Sequence, residues 1–470
     1  MSALPSEGPR RTSRAALVVV LILAVAGIAA GGYYLWPRFE SEAPVVRLSP
    51  DTDTLGAGAL EVTVADAGRG LKSLEVMLGD KSIASEQFTS PVREKKVSVA
   101  LGKGVKEGPT TLKIVARDAS LAHFFKGNET VVEKTITVDL TPPTLELVAD
   151  DRYVNFGGVG AIVYKASDDA AKSGVKIGAR FFPGFRGPIQ GHPDWFFALF
   201  AHPYDAPPET KAVLVATDKA GNTREMQLVY ELKNVKYRKS TLQLSDKFLQ
   251  NTVAPLLNDA AARQGTPKEM FVAVNHKLRK ENEDKITEVT SKATPSMLWK
   301  GAFAQLSNSK VEANFADQRT YVYNGEPIDT AFHLGYDLSV TKHYPIEAAN
   351  AGTVAFAGPL GIYGNCVILD HGLGLHTLYG HMSQIDVKVG DAVQKLQVLG
   401  KTGETGLAGG DHLHYGVYLD GVAVLPVEWW DAKWIADNIE PKLAGHSGEE
   451  IAVSQQPKAK ARAGKGKRRR

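Results

Sequence analysis

The stretch FHLGYDLS (332–339) sets the reading of this chain, together with two partners further on, LYGHMS (378–383) and DHLHYG (411–416). Seven of the twelve histidines fall between His333 and His414. On an extended strand, residues two or four apart share a face. His333 and Asp337 can therefore point the same way, and so can His412 and His414. Gly335, between the first two, permits a bend. These are four potential metal ligands, and His381 adds a fifth polar group. A catalytic zinc ion keeps three protein ligands and one open position, whereas four protein ligands would close the site. Three ligands and two helper imidazoles would make a complete amide hydrolase. One helper would orient or deprotonate a water, and the other would stabilise an oxyanion or protonate the leaving amine. The spacing alone does not choose which histidine of the HxH pair binds metal.

Composition narrows the other possibilities. A chain of 470 residues, 43% hydrophobic and 23% charged, has room for about three folded domains. The formal charge is +3, but eight Lys and Arg with no acid lie after Ile451, leaving −5 on the rest by difference. A mildly acidic body with a basic tail gives no sign of a nucleic-acid-binding core. Cys366 is the single cysteine, so no intramolecular disulfide forms and a metal site must use His and carboxylate ligands. In mid-strand, Cys366 reads as a small buried hydrophobe.

Residues 15–36 are an unbroken apolar or small-residue run, ~33 Å long as a helix and enough for a bilayer core. Arg10, Arg11 and Arg14 precede it, and Tyr33, Tyr34 and Trp36 close it. The positive-inside rule then leaves residues 1–14 in the cytoplasm. The expectation is a single-pass anchor in the inner (cytoplasmic) membrane, with the bulk of the chain on the periplasmic or extracellular side. A cleaved signal peptide is the competing reading.

Between residues 45 and 143 apolar and polar residues alternate in short runs such as LEVTVADAG, LKSLEVMLG and TTLKIVARD, which predicts a β-sandwich module. Residues 144–235 read as a second module, because AVLVATDKAG (212–221) repeats LKIVARDAS (112–120). Both modules resemble bacterial immunoglobulin-like modules, and a wall polymer, a division complex or another hydrolase is their expected partner. The aromatic run 181–203 reads as an insertion or loop. His192 and His202 lack a carboxylate at ligand spacing, so no metal is expected there. A helical connector follows over 245–300, with Thr266, Pro267 and Glu269 forming a capping box. Strands return over 315–436, EWWDAKWI (428–435) closes that domain, and 445–470 form a basic tail expected to be disordered. The fold class is thus mainly β, with one transmembrane helix.

The block 318–430 resembles the lysostaphin-like, or LytM-type, zinc endopeptidases that cut peptidoglycan cross-bridges. The resemblance rests on HLGYD, AANAGTVAFAG, YGNCVILDHG, LYGHMS, VKVGDAV, GKTGETG and DHLHYGV, about a quarter of the chain. It implies an antiparallel two-sheet peptidase domain with one Zn2+ on His333, Asp337 and His414, and His381 and His412 as catalytic histidines. Peptidoglycan stem peptides are the implied substrate. Every motif position is kept, which argues against the family's silent activators, although a silent or latent scaffold for other wall hydrolases is the alternative. Tyr363, Asn365 and Tyr379 are expected groove walls, and His371 a structural turn residue.

Overall fold

A computed structural model describes residues 14–454 except 50, 57, 59, 102–104 and 259–261. The residues before 14 and the tail from 455 on, with the disorder expected of it, lie outside the described residues. The chain divides into two compact units, one of residues 1–142 with 218–222, the other of 143–217 with 223–470.

In the first unit, helix Arg14–Leu35 contains a segment, Leu17–Leu35, long and apolar enough to cross a membrane. Beyond it lie a three-stranded sheet (Val45–Ser49, Leu60–Ala65, Glu94–Val99) and a five-stranded one that includes Leu71–Leu78, Gly108–Asp118 and Glu129–Val138. Strict alternation sends Val62, Val64, Leu74, Val76, Ile114 and Ala116 into one shared core. Asp118 ends its strand by accepting the backbone N–H and side-chain amide of Asn128. Asp218 accepts the same two groups from Asn222. The repeat seen in the sequence thus extends to a hydrogen-bonded Asp–Asn pair.

The second unit begins with two four-stranded sheets. The aromatic run expected to be a loop instead supplies the strand Phe196–Ala201, buried along its whole length. It pairs with Val159–Ala166 on one side and Phe185–Arg186 on the other. Its two faces are both covered, so its sequence is continuously apolar and carries no alternation to mark it as a strand.

An eight-stranded sheet carries the HxH and HxxxD segments, with central strands Gly352–Pro359, Asn365–Asp370, Leu375–Met382 and Leu413–Leu419. A three-stranded sheet, Pro345–Glu347, Val398–Lys401 and Gln384–Ile385, accompanies it. The large sheet is buried on both faces. Val367, Leu369, Tyr379, Tyr415 and Val417 share a core with Val159–Ala166 and Phe196–Ala201. Ile368, Leu378 and Tyr418 pack instead with Phe271, Val274 and Ile286 of the 245–300 segment. Residues 144–235, read above as a module of their own, share one core with the eight-stranded sheet. The capping box at Thr266 is present with both of its hydrogen bonds. The closing element is helical, and Trp429 is fully buried with ring centroids 5.5 Å from both Trp299 and Phe303.

Two polar contacts tie the C-terminal helices to the strands after Pro143. Glu428 accepts hydrogen bonds from Asn155 Nδ2 and the Val159 N–H, each at 2.8 Å. Buried Lys442 donates to Asp151 and, at 2.7 Å, to the Asn438 carbonyl. Burial pushes the Glu428 carboxyl up to about 8. Its folded value lies above that of an unfolded glutamate, about 4.3, so the folded chain holds this proton more tightly. The stability it contributes is full below about pH 4 and is lost as pH rises toward 8. Glu428→Gln is expected to flatten the fall in Tm between pH 5 and 8 by on the order of 5 °C. Parallel melting curves for the two proteins across that range would contradict this.

Candidate active site

His333 follows the strand Glu326–Phe332, and Asp337 lies in Tyr336–Ser339, at register with His414 on Leu413–Leu419. Three ligand-type atoms meet there. His333 Nε2 is 2.9 Å from Asp337 Oδ1 and 3.0 Å from His414 Nδ1, and the last two are 3.0 Å apart. His333 Nδ1 faces the Asn314 carbonyl at 2.9 Å, which can only accept, so Nδ1 carries a proton and Nε2 is the nitrogen turned to Asp337 and His414. Two imidazole nitrogens and one carboxylate oxygen within 3.0 Å of one another could share a single cation. The donor set of two imidazoles and one carboxylate, buried yet bordering a groove, suits a zinc ion with an open position.

Gly335 serves by its size. A Cβ there would lie 2.5 Å from the Tyr415 carbonyl oxygen and 2.7 Å from the His414 ring. The 333–337 loop can therefore lie directly against that imidazole.

His412 and His414 share a face, but only His414 closes the trio. His412 Nε2 is 3.5 Å from Asp337 Oδ1, and its Nδ1 donates to the Gly410 carbonyl at 2.7 Å. The geometry thus separates two histidines that spacing left equivalent.

His381 reaches the same place by a backbone irregularity. Tyr379 and His381 are two apart and on a regular strand would share a face, the one Tyr379 shares with Tyr415, away from His414. The pairing instead shifts: Val367 opposes Tyr379 but Asn365 opposes Met382, so this edge carries an extra residue. His381 sits in the left-handed region at φ 62°. Such a bulge re-aims a side chain, and strained φ values of this kind cluster at functional sites. The ring ends 4.7 Å, centroid to centroid, from that of His412 and 5.8 Å from that of His414. Its Nδ1 donates to the Thr405 carbonyl at 2.8 Å, leaving Nε2 as the acceptor.

Electrostatics divide these groups. Burial opposes ionisation of Asp337, but His333, His412 and His414 together hold its carboxyl well below the usual carboxylate range. Burial and the neighbouring imidazoles of His412 and His414 pull His381 down to about 3. Burial also pulls at His412, but its hydrogen bond to Asp337 and the charge of that carboxylate raise it on balance.

A groove of about 580 Å³ opens on this cluster. Tyr363 and Ile362 line one part of it, and Phe248, Phe271 and Arg279 of the connector line another. Two of the three expected wall residues lie elsewhere. Tyr379 is buried on the opposite face of its strand, its hydroxyl bonded to the Ala349 N–H and Thr377. Asn365 is turned to the Met382 carbonyl at 3.1 Å. His371, as expected, is structural, bonded to the Ala351 carbonyl and Thr377. Sequence reading passed over two groups that touch the site. Thr405 fixes the His381 tautomer and could have been suspected from GKTGETG. Arg319 pairs with Asp337 at 2.9 Å from a strand nearly twenty residues away, with only its place on QRTYVY as a signal.

Residues 331–426 match peptidase family M23, and the C-terminal part of the chain is an M23 (LytM-type) peptidase domain. Among curated proteins the domain is similar to the DD-carboxypeptidase/endopeptidase Mpg of Neisseria meningitidis, 38% identical over 95 residues, 20% of this chain and 22% of that protein. It is also similar to the peptidoglycan DD-endopeptidase ShyA of Vibrio cholerae, 31% identical over 115 residues, 24% of this chain and 26% of that one. The chain therefore spans about a quarter or less of either relative. The solved catalytic domain of lysostaphin from Staphylococcus simulans is 27% identical, with a TM-score of 0.24, covering 28% of this chain and 98% of that one.

Proposed function

We propose that this chain is a membrane-anchored, zinc-dependent endopeptidase that hydrolyses peptide bonds in peptidoglycan cross-links. The observation that carries the reading is the meeting of His333 Nε2, Asp337 Oδ1 and His414 Nδ1 within 3.0 Å of one another, beside His381 and His412. These three residues would hold the zinc, which when bound supplies a Lewis acid and lowers the pKa of a water. The names of the M23 relatives support a wall peptide as substrate.

The remaining work falls to the chain's own groups. His381, kept neutral with Nε2 as acceptor, takes the proton of the attacking water. His412, beside it, delivers one to the leaving amine. Tyr363 and the connector side chains bound the groove that holds the peptide. Helix Arg14–Leu35 serves as the anchor, and the body of the chain works outside the cytoplasm. The two strand-rich regions are read as immunoglobulin-like modules, the first of them a stalk or partner contact.

Purified chain on isolated peptidoglycan is expected to release muropeptides, to stop when a strong chelator strips the metal, and to resume on zinc addition. Release unaffected by chelator, or no release from protein with confirmed zinc occupancy, would refute the enzyme and leave the scaffold reading.

A further inference from the structure

Asp337 divides its two oxygens between two tasks. Oδ1 faces His333, His414 and, at 3.5 Å, His412. Oδ2 is taken by Arg319 Nη2 at 2.9 Å. Arg319 stands on Gln318–Tyr323, the middle strand of a three-stranded sheet, held by Lys239–Leu244 on one side and Glu326–Phe332 on the other. Its neighbours across the two ladders are Ser240 and Ala331, both small, which leaves a lane for the long side chain over the sheet. The Arg319 side chain is 20% exposed and that of Asp337 14%, so the pair is largely withdrawn from water. A carboxylate can turn about its χ2 torsion, a broad two-fold well, and can present one oxygen or both. A charge-assisted bond from a fixed strand removes that freedom.

We infer that Arg319 is a positioning residue for the metal centre: it holds Asp337 by the outer oxygen so that Oδ1 alone faces the ion. The inference rests on the zinc reading above. Outer partners that orient a ligand typically matter 10- to 100-fold for metal affinity.

The test uses the full chain with Arg319→Gln and Arg319→Lys. Zinc affinity is measured by competition with a chromophoric chelator, and the thermal stability of the metal-free protein is measured alongside. Arg319→Gln is expected to weaken zinc binding by ~10- to 100-fold. Arg319→Lys is expected to fall between, because a compact ammonium keeps the charge but not the planar fork. A merely structural role would lower the melting temperature of the metal-free protein and leave the zinc affinity where it was. Unchanged zinc affinity in Arg319→Gln overturns the inference, and so does tighter binding, which would make the arginine a competitor of the metal. His414→Ala separates the two failures. If it binds zinc like the wild type, the zinc reading itself is wrong. If it loses zinc while Arg319→Gln keeps it, only the role of Arg319 is lost.

Discussion

Replacing His414 with alanine is expected to abolish muropeptide release, by ~10³-fold or more, and to remove zinc from the purified chain. Two of the three short contacts at the centre involve His414 Nδ1, each at 3.0 Å. Without it, His333 and Asp337 remain as two ligands, fewer than zinc sites keep. His381→Ala should behave differently. Its ring lies outside the trio, so the variant should retain one zinc per chain while losing activity by roughly 10²- to 10⁴-fold, the usual worth of a general base. Metal analysis beside a turnover assay distinguishes these cases. If His381→Ala also came out metal-free, its place among the helpers would be wrong. If His414→Ala kept both zinc and activity, the whole centre would have been misassigned.

The second large effect concerns stability. Lys442 is 1% exposed, and its ammonium meets Asp151, whose other oxygen accepts the Ala161 N–H at 2.6 Å. Lys442→Met strands a buried carboxylate, a change that costs about 3–5 kcal/mol. For a unit of this size the loss corresponds to a fall of about 10 °C in Tm. Adding Asp151→Asn to that variant should recover part of it, because the amide oxygen can still accept from Ala161 while no charge is left behind. Thermal melts of the two single variants and the double variant check this. A Lys442→Met protein melting within a degree of wild type would show the pair to be dispensable.

The meeting of His333, Asp337 and His414 was legible in the sequence because its signal is local. Spacings of two and four on strands place side chains on one face, and the two strands concerned then need only pair. The choice between His412 and His414 was not local, since both obey the same alternation and only the register with Asp337 separates them. The aim of His381 depends on one extra residue in a ladder, which a single strand cannot reveal. Arg319 reaches Asp337 across sheets, and the lane it uses exists because Ser240 and Ala331 come from separate strands. Phe196–Ala201 was hidden for the opposite reason, burial on both faces having erased the alternation that identifies a strand. Tyr379 illustrates the cost of judging a groove wall by residue type: its parity along the strand puts it in the core.

The core shared by the large sheet and the strands after Pro143 bears on how this chain can be handled as a reagent. The family-matched segment 331–426 looks, on paper, like a portable cassette. Cut out at those borders it would leave Val367, Leu369, Tyr415 and Val417 without Phe196–Ala201 and its neighbours, and Ile368 and Leu378 without Phe271 and Ile286. A truncation meant to be soluble has to begin near Pro143 and keep the C-terminal helices through Lys442. The self-standing unit that could be borrowed from this chain is some three hundred residues long rather than one hundred.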